Sequence, residues 1–189
     1  MSVTVRPDVA DVLIVNATVV DGTGGAPFRG SVAVSGRTIA AVDRADGGDR
    51  GDGAGRARRV IDANGSIVCP GFIDIHTHSD LTLLVDGTGE SKLRQGVTTE
   101  VVGNCSFSAF PIEPSRLALH ADHLARATAP LTPWWTDFDG YARALADEGT
   151  AMNVASLTGH GTLRVAAMGV DDRPPTTAEL DRMIGELDE

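Results

Sequence analysis

Aromatic side chains are scarce, with Phe, Trp and Tyr together making up 4% of the chain. Core packing therefore falls to Val, Leu, Ile and Ala, and a hydrophobic fraction of 42% is ordinary for a globular protein. Cysteine is nearly absent: Cys69 and Cys105 stand in dissimilar contexts and make no disulfide framework. No apolar run approaches bilayer-spanning length, and the first residues, Met-Ser-Val-Thr-Val-Arg-Pro-Asp, lack the basic-then-apolar order of a signal peptide. These absences point to a cytoplasmic protein with no membrane partner. Positive charge is the minority sign, 16 Lys and Arg against 26 Asp and Glu, for a net charge of -10. Phosphate backbones attract clustered cations, so nucleic acid is excluded and a small-molecule partner is expected.

What the chain does have is concentrated around residues 67–78. Phe72, Ile73 and Ile75 form a short apolar run that opens at Pro70-Gly71 and closes on His76-Thr77-His78. This pattern predicts a buried strand ending in a metal site. Side chains of a strand alternate between faces, so His76 and His78 point the same way and present two ring nitrogens to one region of space. A bare His-x-His also fits a pair of surface histidines. The apolar lead-in favours a metal, because two buried neighbouring imidazoles need partners.

The wording around the pair is more specific than the pair. Ile67-Val-Cys-Pro-Gly-Phe-Ile-Asp-Ile-His-Thr-His78 resembles the first barrel strand of the amidohydrolase superfamily, metal-dependent hydrolases built on a TIM barrel. Gly96-Val-Thr-Thr-Glu-Val-Val-Gly-Asn-Cys105 resembles the second strand of its N-acyl-D-amino-acid deacylase, or D-aminoacylase, branch. Asn153-Val-Ala-Ser-Leu-Thr-Gly-His-Gly-Thr-Leu-Arg164 is similar to that branch's third strand and the turn after it.

The fold class expected is α/β: the first part of such a barrel, about three βα units over residues 70–189, preceded over residues 10–69 by a small antiparallel β domain, half of a composite β-sandwich. A complete TIM barrel takes about 250 residues, so the remainder is expected outside this chain, either in a longer gene product or as a separately encoded partner. The 189-residue chain by itself is then expected to be inactive.

In chain order, residues 1–9 are polar and read as a loose end. Val12–Val15, Thr18–Val20, Ser31–Val34 and Thr38–Val42 read as strands, with a hairpin at Ser35-Gly36. Asn64-Gly65 is a type I′ turn signal that predicts a second hairpin, between Val60-Ile61 and Ser66–Val68. Residues 44–59 are low in complexity and read as a solvated hairpin loop; their Asp-Gly spacing and the tripeptide Arg50-Gly51-Asp52 are short chance-level matches to calcium and adhesion motifs. Further on, Ser91–Gln95 is helical and Val97–Val102 a strand. Ser115–Thr128 is a helix capped by Ser115, with His120 and His123 on a partly solvated face. Thr136 and Asp139 have capping-box spacing ahead of another helix, and the nearby Trp134 and Trp135 pack against the barrel. Strand Asn153–Leu157 leads to His160, and Thr176 with Glu179 opens a last helix.

Cys69 reads as a packed residue. A free cysteine such as Cys105 is ordinarily a small buried hydrophobe too, but at a strand end beside His76 and His78 it reads as a ligand. The resemblance implies the same three metal positions, His76, His78 and Cys105, with the cysteine shared between a tight zinc site and a weaker one. It implies hydrolysis of N-acyl-D-amino acids, and a general-base aspartate together with two more histidine ligands beyond the C-terminus of this chain. No catalytic residue is therefore assigned within it. Asp80 stands close enough to orient a ligand or substrate. His160 is placed at the same face, where the residues leave a metal ligand, a substrate contact and a structural hydrogen bond all open, and the resemblance does not make it a ligand. Two other functions fit the chain less well: hydrolysis of a cyclic amide, as in hydantoinases and dihydropyrimidinases, and a non-catalytic binding module.

Overall fold

One long strand, β1 (Val9–Val19), organises the first unit of the chain. The computed structural model describes residues 9–45 and 56–188, which fall into two compact units, Met1–Pro70 and Gly71–Glu189. In the first, β2 (Phe28–Ser35) and β3 (Thr38–Arg44) form the expected antiparallel hairpin, and β2 lies antiparallel to β1. The two segments expected on either side of residue 16 are one strand. Asn16 takes a left-handed conformation (φ 56°) where the β1–β2 register shifts between Ile14 and Ala17, a conformation asparagine adopts more readily than most residues.

The second hairpin is not formed. Asn64 and Gly65 do have the positive φ of a type I′ turn, 47° and 84°. Yet β4 (Arg56–Asp62) and β5 (Ile67–Val68) both pair parallel with β1, one beyond the other, giving the order β3-β2-β1-β4 with β5 also on β1. The sheet is therefore mixed, not antiparallel. The turn is held by Gly65 N–H donating to the Asn16 carbonyl at 2.7 Å, so its partner is the bulge of β1. Ala17, Val19 and Val32 form the buried cluster here. Cys69 is exposed, contrary to its reading as a packed residue. Of the proposed loose end only Val9 is described, and it starts β1; the tract at 46–55, with its calcium-like and Arg50-Gly51-Asp52 matches, lies outside the described residues.

The second unit holds a three-stranded parallel sheet, β6 (Phe72–Asp74), β7 (Val97–Val102) and β8 (Asn153–Ser156), in that order. Parallel neighbours need crossovers, and helices supply them. Between β6 and β7 come α1 (Thr82–Val85) and α2 (Glu90–Leu93). Between β7 and β8 a 3-10 turn (Pro114–Arg116) runs into α3 (Leu117–Leu124), followed by α4 (Phe138–Glu148). After β8 come α5 (His160–Met168) and α6 (Thr177–Asp188). The core joins Leu81, Leu83 and Leu84 to Ala109, Phe110, Ile112, Leu124, Trp135, Tyr141, Ala144 and Leu145. Trp135 is buried there with its indole N–H on the Ala109 carbonyl at 2.7 Å, whereas Trp134 is exposed.

The helices bury the β7 face that carries Glu100 and Val102, and β6 lies at the sheet edge. Phe72, Ile73 and Ile75 are consequently exposed, which corrects the expectation of a buried strand. Two helix starts are also corrected. Glu113, not Ser115, caps the turn before α3, accepting from Ser115 N at 3.1 Å, and Asp137, not Thr136, caps α4, accepting from Gly140 N at 2.7 Å. The capping box of α6 is as expected: Thr176 N donates to Glu179, and Glu179 N to Thr176 Oγ1.

Candidate metal centre

His76 and His78 lie past the end of β6, where the chain leaves regular strand geometry while Thr77 N–H still donates to the Val101 carbonyl of β7 at 3.3 Å. That bond keeps the His-Thr-His segment beside the end of β7. The Asp74 carboxylate accepts from His76 N at 3.2 Å and pairs with Lys92 of α2, so a cation on the neighbouring helix fixes the approach to the first histidine. Arginine and lysine partners depress a carboxyl pKa, and here the Lys92 hydrogen bond is the main cause holding Asp74 below the usual carboxylate range.

Cys105 reaches the histidines because the chain reverses at once after β7. Gly103 (φ 82°) begins the turn, and a Cβ there would stand 2.0 Å from the Leu157 carbonyl oxygen, so only glycine fits. Asn104 Nδ2 donates to the Val101 carbonyl at 2.8 Å and the Thr77 carbonyl at 3.3 Å, tying the turn to both strands. Cys105 (φ 53°) and Ser106 (φ 73°) then both occupy the left-handed region. The result is a contact of 3.1 Å between Cys105 Sγ and His76 Nε2, with the rings of His76 and His78 5.7 Å apart.

One ligand atom from each of His76, His78 and Cys105 lies within 4.8 Å of the others. Two imidazoles and a thiol are the donor set of borderline-soft cations such as zinc, and that spacing brings them to one ion. His78 also has a buried Nδ1 with no hydrogen-bond partner among the described residues. The residues fit the metal.

Asp80 is 1% exposed, and its Oδ1 accepts from Gly103 N at 2.9 Å. Burial pushes its pKa up to about 6. Tyr141 donates its hydroxyl to the Asp80 carbonyl at 2.7 Å, so α4 is locked to the same segment. His160 is exposed as the first residue of α5 and is not part of the three-residue cluster. Of the two histidines expected on a partly solvated face, His123 is half-buried and His120 is not on it. His120 is fully buried, its Nε2 accepting from Glu113 N at 3.1 Å, while His123 packs on Phe107, beside the cysteine turn. The supports from Asp74, Lys92 and Asn104 were not anticipated; Asn104 alone had a visible signal, as a short amide in a Gly-Asn-Cys turn.

A parallel sheet with a thiol and imidazoles gathered beyond its strand ends defines an α/β protein with a candidate metal site. The model of the amidohydrolase family matches residues 59–188. The chain belongs to the amidohydrolase family. It is 40% identical over 183 residues to N-acyl-D-aspartate deacylase from Alcaligenes xylosoxydans xylosoxydans, covering 97% of this chain and 35% of that protein. Among solved structures it is similar to N-acyl-D-glutamate deacylase from Bordetella bronchiseptica, complexed with zinc and a phosphonate mimic of the tetrahedral intermediate: TM-score 0.77, 38% identity, 94% of this chain and 35% of that one. A D-aminoacylase with a binuclear metal centre gives a TM-score of 0.76 at 37% identity, over 95% of this chain and 36% of that one. The chain thus spans about a third of the length of these relatives.

Proposed function

We propose that this chain carries the first three strands of a TIM barrel, β6, β7 and β8, and the first metal ligands of a zinc-dependent N-acyl-D-amino-acid deacylase. The observation that carries the reading is the convergence of His76, His78 and Cys105 within 4.8 Å, past the carboxyl ends of adjacent parallel strands. In barrels of this kind the carboxyl end is where chemistry collects. His76 and His78 would hold zinc through ring nitrogens and Cys105 through its sulfur. Zinc held there would supply Lewis acidity for an amide carbonyl and for bound water. The chain's own part is to hold that geometry. Asp74, clamped by Lys92, fixes the backbone before His76; Asp80 and Asn104 fix the turn that aims Cys105. Asp80 is turned to the Gly103 amide and fully buried, so it serves the ligands and not the substrate.

The substrate class comes from the relatives, which are named for N-acyl-D-aspartate, N-acyl-D-glutamate and D-amino-acid substrates. No helix among the described residues is long and apolar enough to cross a membrane. The test is an assay of the natural polypeptide carrying residues 1–189, stripped of metal and reconstituted with zinc, against N-acetyl-D-amino acids, their L enantiomers and a hydantoin. Zinc-dependent release of acetate from the D series is expected. Turnover restricted to hydantoins or to L substrates, or activity indifferent to metal removal, overturns the assignment.

A further inference from the structure

The turn that delivers Cys105 is unfavourable on its own terms. Two consecutive non-glycine residues, Cys105 and Ser106, sit at positive φ, where Cβ crowds the backbone, and such conformations persist only when their surroundings over-determine them. The surroundings here converge on the Ser106 carbonyl. His123 of α3 lies with Nε2 3.3 Å from that oxygen, and Thr162 N of α5 donates to it at 3.1 Å. A carbonyl oxygen only accepts, so this contact takes the ring proton on Nε2, donated to Ser106; burial is the main cause holding the His123 pKa below the ordinary histidine range.

The same ring does a second thing. It stacks on Phe107 at 4.6 Å between centroids and 24° between planes, and Phe107 meets His78 edge-on at 6.1 Å and 81°. The start of α5 also approaches the ring and the turn: a Cβ on Gly161 would stand 3.0 Å from His123 Cε1, and one on Gly159 would stand 2.6 Å from the Ser106 carbonyl. His123 is therefore wedged between the first turn of α5 and the two residues that follow Cys105, and it reaches one ligand through the backbone and another through an aromatic contact.

We propose that His123 is a positioning residue of the metal site: its Nε2 bond to Ser106 holds the left-handed turn that aims the Cys105 thiolate, and its stack on Phe107 holds the His78 ring. This rests on the reading of His76, His78 and Cys105 as metal ligands. Nothing in the role requires His123 to touch metal or substrate.

Cobalt(II) tests it in the natural polypeptide that carries residues 1–189, because a thiolate-to-cobalt charge-transfer band reports the cysteine bond separately from overall binding. His123→Ala is expected to weaken cobalt and zinc affinity about 10- to 100-fold, the range for partners that orient ligands, and to diminish the charge-transfer band of the cobalt that remains bound. His123→Phe keeps a ring and loses the donor, and His123→Gln keeps a donor and loses the ring; each is expected to fall between wild type and His123→Ala, which keeps the proposal testable if the alanine variant does not fold. Leu124→Ala, in the same helix and buried in the core, is the control for mere destabilisation and is expected to leave the band of the folded protein intact. Unchanged affinity and spectrum in the His123 variants overturn the proposal. Cys105→Ser separates it from the underlying reading: if wild type shows no charge-transfer band, or the band survives in Cys105→Ser, the metal-site assignment and this proposal fall together.

Discussion

Asp80 Oδ1 accepts the backbone N–H of Gly103 at 2.9 Å, joining the residue two positions after His78 to the residue two positions before Cys105. A single buried hydrogen bond thus spans the two ligand-bearing segments. Its donor belongs to a turn with no freedom to relax, and its acceptor is 1% exposed, so water replaces neither partner when the other is removed.

Asp80→Ala is expected to destabilise the fold by about 1–3 kcal/mol, the cost of an orphaned buried donor, and to lower zinc affinity about 10- to 100-fold. Asp80→Asn keeps an oxygen that can accept from Gly103 and is expected to lose much less of both. Urea unfolding and zinc competition with a chromophoric chelator measure the two effects. Equal losses in the two variants would show that the charge, and not the acceptor, matters.

Gly103→Ala is expected to be worse than an ordinary glycine-to-alanine change. It forces an L side chain to φ 82° and sets its Cβ 2.0 Å from the Leu157 carbonyl, so the turn or β8 must move. A loss of at least about 2 kcal/mol is expected, together with loss of zinc binding. A stable Gly103→Ala protein that binds zinc normally would contradict the account of the turn.

His120 should make stability depend on pH. Its ring is fully buried, and burial pushes its pKa down to about 4 from 6.5. Protonation also places a hydrogen on Nε2, which accepts from Glu113 N in the folded state. The folded value lies below the unfolded one, so the unfolded chain takes the proton first. The stability His120 contributes is complete above its unfolded pKa and is lost as pH falls from about 6.5 to about 4. Between pH 7 and about pH 5 the loss is about 2 kcal/mol. Unfolding measured across that range should fall more steeply for wild type than for His120→Phe; parallel curves would count against the buried neutral ring.

The sequence was most legible where one local rule acts alone. Val97–Val102 is a strand with the boundaries its pattern implied, Thr176 and Glu179 cap each other as their spacing implied, and the Ser35-Gly36 hairpin formed. Legibility failed where the partner was distant. Asn64-Gly65 adopts the conformation its residues favour, but the long β1 offers a free edge to both flanking segments, and a turn's φ values do not choose between pairing with each other and pairing with a third strand. Caps slipped to Glu113 and Asp137 because several residues near each helix start can accept from the first amides. At the site, the residue types of His76, His78 and Cys105 were visible, and Asp80 beside them, but the more distant contacts were not. Lys92, Asp74 and His123 come from elements whose positions depend on packing, and His123 lies 18 residues from Cys105 in the chain. His120 was expected on a partly solvated helix face and is instead fully buried, accepting from Glu113 N.

The central claim is that Cys105 and the two histidines bind the same zinc ion. Zinc-edge X-ray absorption of the natural polypeptide, loaded with zinc at or below one equivalent, tests it most directly. The expected shell contains a sulfur at about 2.3 Å with nitrogen at about 2.0–2.1 Å, and Cys105→Ser removes the sulfur. A shell of nitrogen and oxygen alone in the wild-type protein would contradict the assignment of Cys105, and with it the reason the strained turn after β7 exists.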